Sequence, residues 1–145
     1  MRVGLIGCGG IAPMHIRVYK NLKDVEFASL CDLNINRAKK LSKQFNVEKV
    51  YTNYFEMFEK EHLDVVDICT PVSTHAKIAC DSAEHVPAIL LEKPMALNVS
   101  QCDEIIRAIR KLGRKLCIGH SQIFSPLVQK TKKMVDSGDF GLHLS

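Results

Sequence analysis

The 145-residue chain reads as an α/β domain with a doubly wound, mostly parallel sheet, on three observations. Short apolar runs recur along it, separated by longer segments at helical period. A glycine-rich turn, Gly7-x-Gly9-x-x-Ala12, joins the first apolar run to the first periodic segment. An acidic residue, Asp32, ends the second run. Strands alternating with helices in this way pack as a sheet covered by helices.

Taken in order, the predicted strands are "RVGLI" (2–6), "VEFASLC" (25–31), "KVY" (49–51), "DVVDIC" (64–69), "AILLE" (88–92) and "KLCIG" (115–119). Such short runs of Val, Ile and Leu suit strands buried on both faces of a parallel sheet. The periodic segments are 11–22, 34–45, 53–60, 73–84, 98–112 and 126–137. In 98–112, Val99, Cys102, Ile106 and Ile109 form one stripe, with Ile105 and Leu112 beside it. That helix opens at Asn98 or Ser100 and closes at Gly113. Residues 61–63 carry little signal. Met14 and Met57 read as core. After "SGDFG" the sequence starts a new alternation, "FGLHLS", which reads as the opening of a second domain. The expected division is therefore 1–120 for the first domain and 121–145 for a linking helix and that opening.

Composition is that of an ordinary globular chain, 46% apolar and 25% charged, long enough to bury a core. The net charge of +4 is spread over helix faces, Lys39, Lys40 and Lys43 in one and Lys130, Lys132 and Lys133 in another, so nucleic acid is not the expected partner. Cys8, Cys31, Cys69, Cys80, Cys102 and Cys117 are scattered, without CxxC or Cys–His pairs at zinc spacing. They imply reduced thiols, a cytoplasmic location and no metal site. No segment has the length of a membrane span or a signal peptide.

The glycine turn carries the chemistry. Gly7 permits the tight turn, Gly9 lets a pyrophosphate approach the backbone, and Ala12 lets helix and strand pack closely. Free N–H groups at the helix start, with its dipole, favour phosphate, and Pro13 costs nothing there. Gly7, Cys8, Gly9, Gly10 and Ile11 are thus candidate cofactor contacts. Asp32 lies twenty residues after Ala12, where a carboxylate accepts both ribose hydroxyls of an adenosine and repels a 2′-phosphate. It favours NAD over NADP, with Leu33 beside it; the plainer reading of Asp32 is a cap for the helix that follows. Arg37 could stack on adenine or help to bind a 2′-phosphate.

Two later stretches, "ICTPVSTH" (68–75) and "LLEKPMA" (90–96), follow the fourth and fifth strands, where open α/β sheets place ligands. With the glycine turn, Asp32, "IGHSQIFSP" and "SGDFG", they resemble the Gfo/Idh/MocA family, named for glucose–fructose oxidoreductase, inositol dehydrogenase and a rhizopine-catabolism protein. The resemblance implies that Thr70, Pro71 and His75 lie against the nicotinamide half of NAD. It implies that Glu92 and Lys93 sit beside the nicotinamide ribose, with Lys93 the catalytic group near the reacting carbon, and that Pro94 often follows a cis peptide. An ammonium there stabilises a developing alkoxide or passes on its proton. Residues from Gly119 to Gln122, including His120, would border the pocket. Ile123 stands where the family usually has an Arg, which weakens any sugar contact made there. His15 reads as a packing residue, and His62, His85 and His143 as surface or turn positions.

The resemblance also implies a second, substrate-binding domain supplying an acid–histidine pair. The expected parent is a dehydrogenase of a sugar, cyclitol or sugar nucleotide. Its partners are a sugar-like small molecule and, through surface such a domain would cover, further copies of the chain. These 145 residues alone are expected to bind cofactor without turnover. Two alternatives stand beside this: a cofactor-binding regulator without catalysis, and a nicotinamide-dependent reductase of an imine or double bond.

Overall fold

A computed structural model describes residues 1–138 and Gly141. Six strands, β1 (Arg2–Ile6), β2 (Glu26–Cys31), β3 (Lys49–Tyr51), β4 (Val65–Ile68), β5 (Ala88–Leu91) and β6 (Lys115–Ile118), form one sheet in the order β3-β2-β1-β4-β5-β6. Every pairing is parallel. The helices are α1 (Ala12–Asn21), α2 (Ile35–Phe45), α3 (Tyr54–Glu61), α4 (His75–His85), α5 (Val99–Lys111) and α6 (Pro126–Asp136). The doubly wound α/β expectation holds. The alternation expected at "FGLHLS", with His143, lies outside the described residues apart from Gly141.

Two cores sandwich the sheet. On one face Val3, Leu5, Leu30 and Cys69 meet Ala12 and Ile16 of α1 and Ala38 and Leu41 of α2. On the other Val66, Ile68, Ile89 and Leu91 meet Met57, Ala79, Ile105 and Ile109 of α3, α4 and α5. Each large aliphatic side chain so buried stabilises the fold by about 1.5–3 kcal/mol. This packing fixes the carboxyl ends of β1, β2, β4 and β5 along one edge, where the chain turns from strand to helix.

Some sequence expectations shift in register. In α5 the buried residues are Ile105 and Ile109, while Val99 is 76% exposed, because the stripe rotates toward α4 and the sheet. Met57 is core, but Met14 points outward. Strand β6, expected to be covered on both faces, alternates exposed and half-buried residues because it is the sheet's edge. Helix α6 buries no side chain, and Phe124 and Leu127 before and within it are largely exposed. The weakly signalled stretch 61–63 is the end of α3, where His62 takes the left-handed conformation at φ +46° that a C-cap requires.

Candidate dinucleotide site at the carboxyl edge of the sheet

The turn between β1 and α1 contains glycines of two kinds. Gly7 is required by the fold: its φ is +100°, and a Cβ there would lie 2.7 Å from the Cys69 carbonyl. Gly9 and Gly10 are not. A Cβ on either would meet nothing within 4 Å, and neither has a left-handed φ. No internal packing explains their lack of side chains.

Helices α2, α3 and α5 begin with asparagines, Asn34, Asn53 and Asn98, whose side chains accept from the first-turn N–H groups. Helix α1 has no such cap. Among the described residues nothing accepts from the N–H groups of Gly9, Gly10, Ile11 and Ala12. Gly9 and Gly10 line an open groove of about 470 Å³ between the turn and α2, together with Cys8, Pro13, Arg37 and Lys40. Bare backbone, unpaired donors, a helix dipole and two cations together fit an anionic ligand.

Asp32 directly follows β2. One carboxylate oxygen accepts from Cys8 N at 2.7 Å and the other from Asn34 N at 2.7 Å. The carboxylate thus ties β2 to the glycine turn and keeps lone pairs for a ligand. The helix cap is Asn34, not Asp32. Because the Cys8 N–H is already given to Asp32, Cys8 shapes the turn instead of offering its own donor. Leu33, the next residue, is 92% exposed.

Beyond β4 the Thr74 hydroxyl lies 2.8 Å from both the Thr70 hydroxyl and the Pro71 carbonyl, which fixes that turn. His75, expected to face the cofactor, is 1% exposed, with its ring nitrogens 2.9 Å from the Thr70 and Pro94 carbonyls. The ring thus links the turns that follow β4 and β5. The Lys93–Pro94 peptide is cis. Lys93 is exposed, and among the described residues its ammonium makes no ion pair.

Glu92 turns away from Lys93. Its Oε1 lies 3.3 Å from His15 Nε2 on α1, and its Oε2 accepts from the Lys93 backbone N–H at 3.1 Å. His15 Nδ1 in turn lies 2.7 Å from Asp67 Oδ2, a carboxylate with no exposed surface that also accepts from the Tyr19 hydroxyl at 3.0 Å. His15 therefore joins the two strand ends; it is not passive packing. The hydrogen bond that His15 donates to Asp67 raises its pKa above the ordinary histidine value against the opposing effect of burial, with Glu92 adding to the rise. The ligand atoms of His15, Asp67 and Cys69 lie within 4.8 Å of one another. They already bond to each other, and burial keeps the Cys69 thiol protonated, so they form a hydrogen-bonded cluster.

Strand order 3-2-1-4-5-6 with a glycine turn after β1 and a carboxylate after β2 defines a Rossmann domain. More narrowly, the chain belongs to the GFO_IDH_MocA family, whose model, an oxidoreductase family NAD-binding Rossmann fold, matches residues 1–120. It is 31% identical to the inositol 2-dehydrogenase/D-chiro-inositol 3-dehydrogenase of Lactiplantibacillus plantarum over 144 residues, covering 97% of this chain and 41% of that protein. An Agrobacterium radiobacter oxidoreductase solved with NAD+, L-tartaric acid and magnesium superposes with a TM-score of 0.89 at 28% identity, covering 98% of this chain and 42% of that one. The WlbA dehydrogenase of Bordetella pertussis, solved with NADH and UDP-GlcNAcA, gives 0.90 at 25% identity, covering 97% and 43%. The chain thus spans about two fifths of the length of these relatives. No helix among the described residues is long and apolar enough to cross a membrane.

Proposed function

We propose that the chain is the NAD-binding part of a dehydrogenase acting on a sugar, cyclitol or sugar-nucleotide alcohol. One observation carries the cofactor assignment: Gly9 and Gly10 lack side chains where no neighbour excludes one, beside four unpaired backbone donors. A ligand pressed against the backbone accounts for both. Gly9, Gly10, Ile11 and Ala12 would hold the pyrophosphate and Asp32 the adenosine ribose, with Leu33 and Arg37 beside the adenine. Gly7 and Cys8 shape that turn. Thr70, Pro71, Glu92 and Lys93 would border the nicotinamide.

Bound NAD+ supplies the hydride acceptor. The chain's own contribution to chemistry is Lys93. Among the described residues its exposed ammonium makes no ion pair, and it stands next to the strand end that Glu92 and His15 secure. From there it would hydrogen-bond the substrate oxygen and stabilise the charge left as the alcohol proton departs. A lysine placed so has no use in a pure binding module, which sets the regulator reading second.

Residues 1–120 are proposed as the cofactor unit. Residues from 121 on are proposed as a segment leading to substrate-binding surface, because α6 buries nothing against the sheet. The exposed Ile123, Phe124 and Leu127 would pack there or against another copy of the chain. Six free cysteines support a reducing, cytoplasmic compartment. Calorimetric titration of the chain with NAD and NADP tests the site. NAD should bind more tightly, and Asp32→Ala should weaken NAD more than NADP. Equal weakening would remove the ribose role, and no binding of either at millimolar concentration would refute the assignment.

A further inference from the structure

We propose that His15 is the positioning residue for Glu92, and that the buried Asp67–His15–Glu92 chain makes the preference for oxidised over reduced nicotinamide cofactor depend on pH. The proposal rests on the dinucleotide reading above and adds to it a residue that the glycine-turn argument leaves unused.

Geometry carries it. Asp67 sits in the middle of β4, fully buried, and among the described residues His15 is the only cationic group within ion-pair distance of it. The same holds for Glu92, whose side chain is 15% exposed. The imidazole thus stands between two carboxylates, Nδ1 toward Asp67 at 2.7 Å and Nε2 toward Glu92 at 3.3 Å. A neutral ring can donate to only one of them; the imidazolium donates to both. Gly119 leaves the space, since a Cβ there would lie 2.9 Å from Glu92 Oε1.

Other titratable groups around the ring do not compete. Tyr19 on α1, Cys8 in the glycine turn and Cys69 after β4 are held neutral by burial. The Cys117 thiol lies on the exposed edge strand, and the Lys93 ammonium is directed to solvent. With His15 charged the chain of three carries a net −1; once His15 loses its proton it carries −2. Oxidised nicotinamide has one positive charge more than reduced. A strand end bearing −2 therefore favours the oxidised form more than one bearing −1, by about three- to tenfold at the effective dielectric of a half-open site.

The test titrates NAD+ and NADH calorimetrically against the full chain from pH 6 to 9.5, with His15 followed by NMR in the cofactor-free protein. The ratio Kd(NADH)/Kd(NAD+) should rise about three- to tenfold across the His15 inflection, which should lie above 6.5. In His15→Gln the ratio should stay flat. In Gly119→Ala, where the new methyl displaces the Glu92 carboxylate but spares the His15–Asp67 bond, the His15 inflection should fall and the rise should shrink. If both cofactors bind and the ratio does not move with pH, or moves equally in His15→Gln, the proposal is wrong while the dinucleotide site stands. If neither cofactor binds at any pH, the site assignment fails and takes the proposal with it.

Discussion

Replacing Gly7 and Gly9 one at a time separates the two reasons a chain has for lacking a side chain. At Gly7 the reason is internal. Alanine there must adopt φ near +100° and bring its methyl to 2.7 Å from the Cys69 carbonyl carbon and oxygen and from Thr70 N. The backbone conformation alone costs about 1–2 kcal/mol, and relieving contact with main-chain atoms adds at least as much. About 3 kcal/mol in a domain of this size lowers Tm by roughly 6–12 °C. At Gly9 no atom lies within 4 Å of the new side chain. Gly9→Val should leave stability within about 1 kcal/mol of the parent, and could gain a little from the stiffer unfolded chain.

Cofactor affinity should change in the opposite way. The valine side chain would stand between the pyrophosphate and the turn's donors, removing two charge-assisted hydrogen bonds of about 1.5–3 kcal/mol each. That corresponds to a loss of more than about a hundredfold in Kd. Thermal melts by circular dichroism and calorimetric titration with NAD read both quantities. A Gly9→Val chain that melts normally yet binds NAD within threefold of the parent would refute the cofactor reading of the turn. A Gly7→Ala chain as stable as the parent would refute the steric one.

Two further outcomes concern the core. Ser29 is fully buried on β2 and its hydroxyl has no hydrogen-bond partner among the described residues. Ser29→Ala should therefore raise stability by about 1 kcal/mol, seen as a Tm increase of roughly 2–4 °C; a decrease would mean the hydroxyl is satisfied. Burial pushes the thiols of Cys8 and Cys31 up to about 12, and that of Cys69 is raised as well. In the unfolded chain these thiols ionise near 8.5, so their contribution is complete below that pH and drains as pH rises. Each removes up to about 1.4 kcal/mol per pH unit. Urea midpoints measured from pH 9 to 10 should fall, and Cys31→Ala should make the fall shallower; an unchanged slope would show that Cys31 ionises equally in both states.

Strands were legible because each is an apolar run closed by a turn signal, and parallel pairing buries both faces of all but the edges. The pattern does not say which strand is the edge, so β6 read like its neighbours although one face of it is open. The helix stripe in α5 was displaced for a related reason. Val99 has the right spacing but sits in the first turn, above the layer that Ile105 and Ile109 reach. The resemblance sets His75 among the cofactor contacts, and no local pattern signals its burial. Its ring nitrogens lie 2.9 Å from the Thr70 and Pro94 carbonyls, contacts across 5 and 19 residues that no local spacing announces. The link from His15 to Asp67 spans 52 residues and leaves no local spacing to read. One signal was available: the carboxylate inside "VVDI" is a charge in a strand with no exposed surface, and such a charge needs a partner.

That partner also settles a choice left open by the order Glu92-Lys93. Adjacent in sequence, the two side chains invite an ion pair, which would fold the lysine back onto the protein and cover its charge. The structure spends the glutamate elsewhere, one oxygen on His15 and one on the backbone N–H of Lys93. Lys93 keeps its ammonium free, and the carboxylate next to it serves to anchor the main chain from which that ammonium projects. On the function proposed above, a free cation at this strand end would be available to stabilise a developing alkoxide. On that same proposal, Glu92 would act through a geometry that His15 helps to hold, and Lys93 would be the group that meets the substrate oxygen.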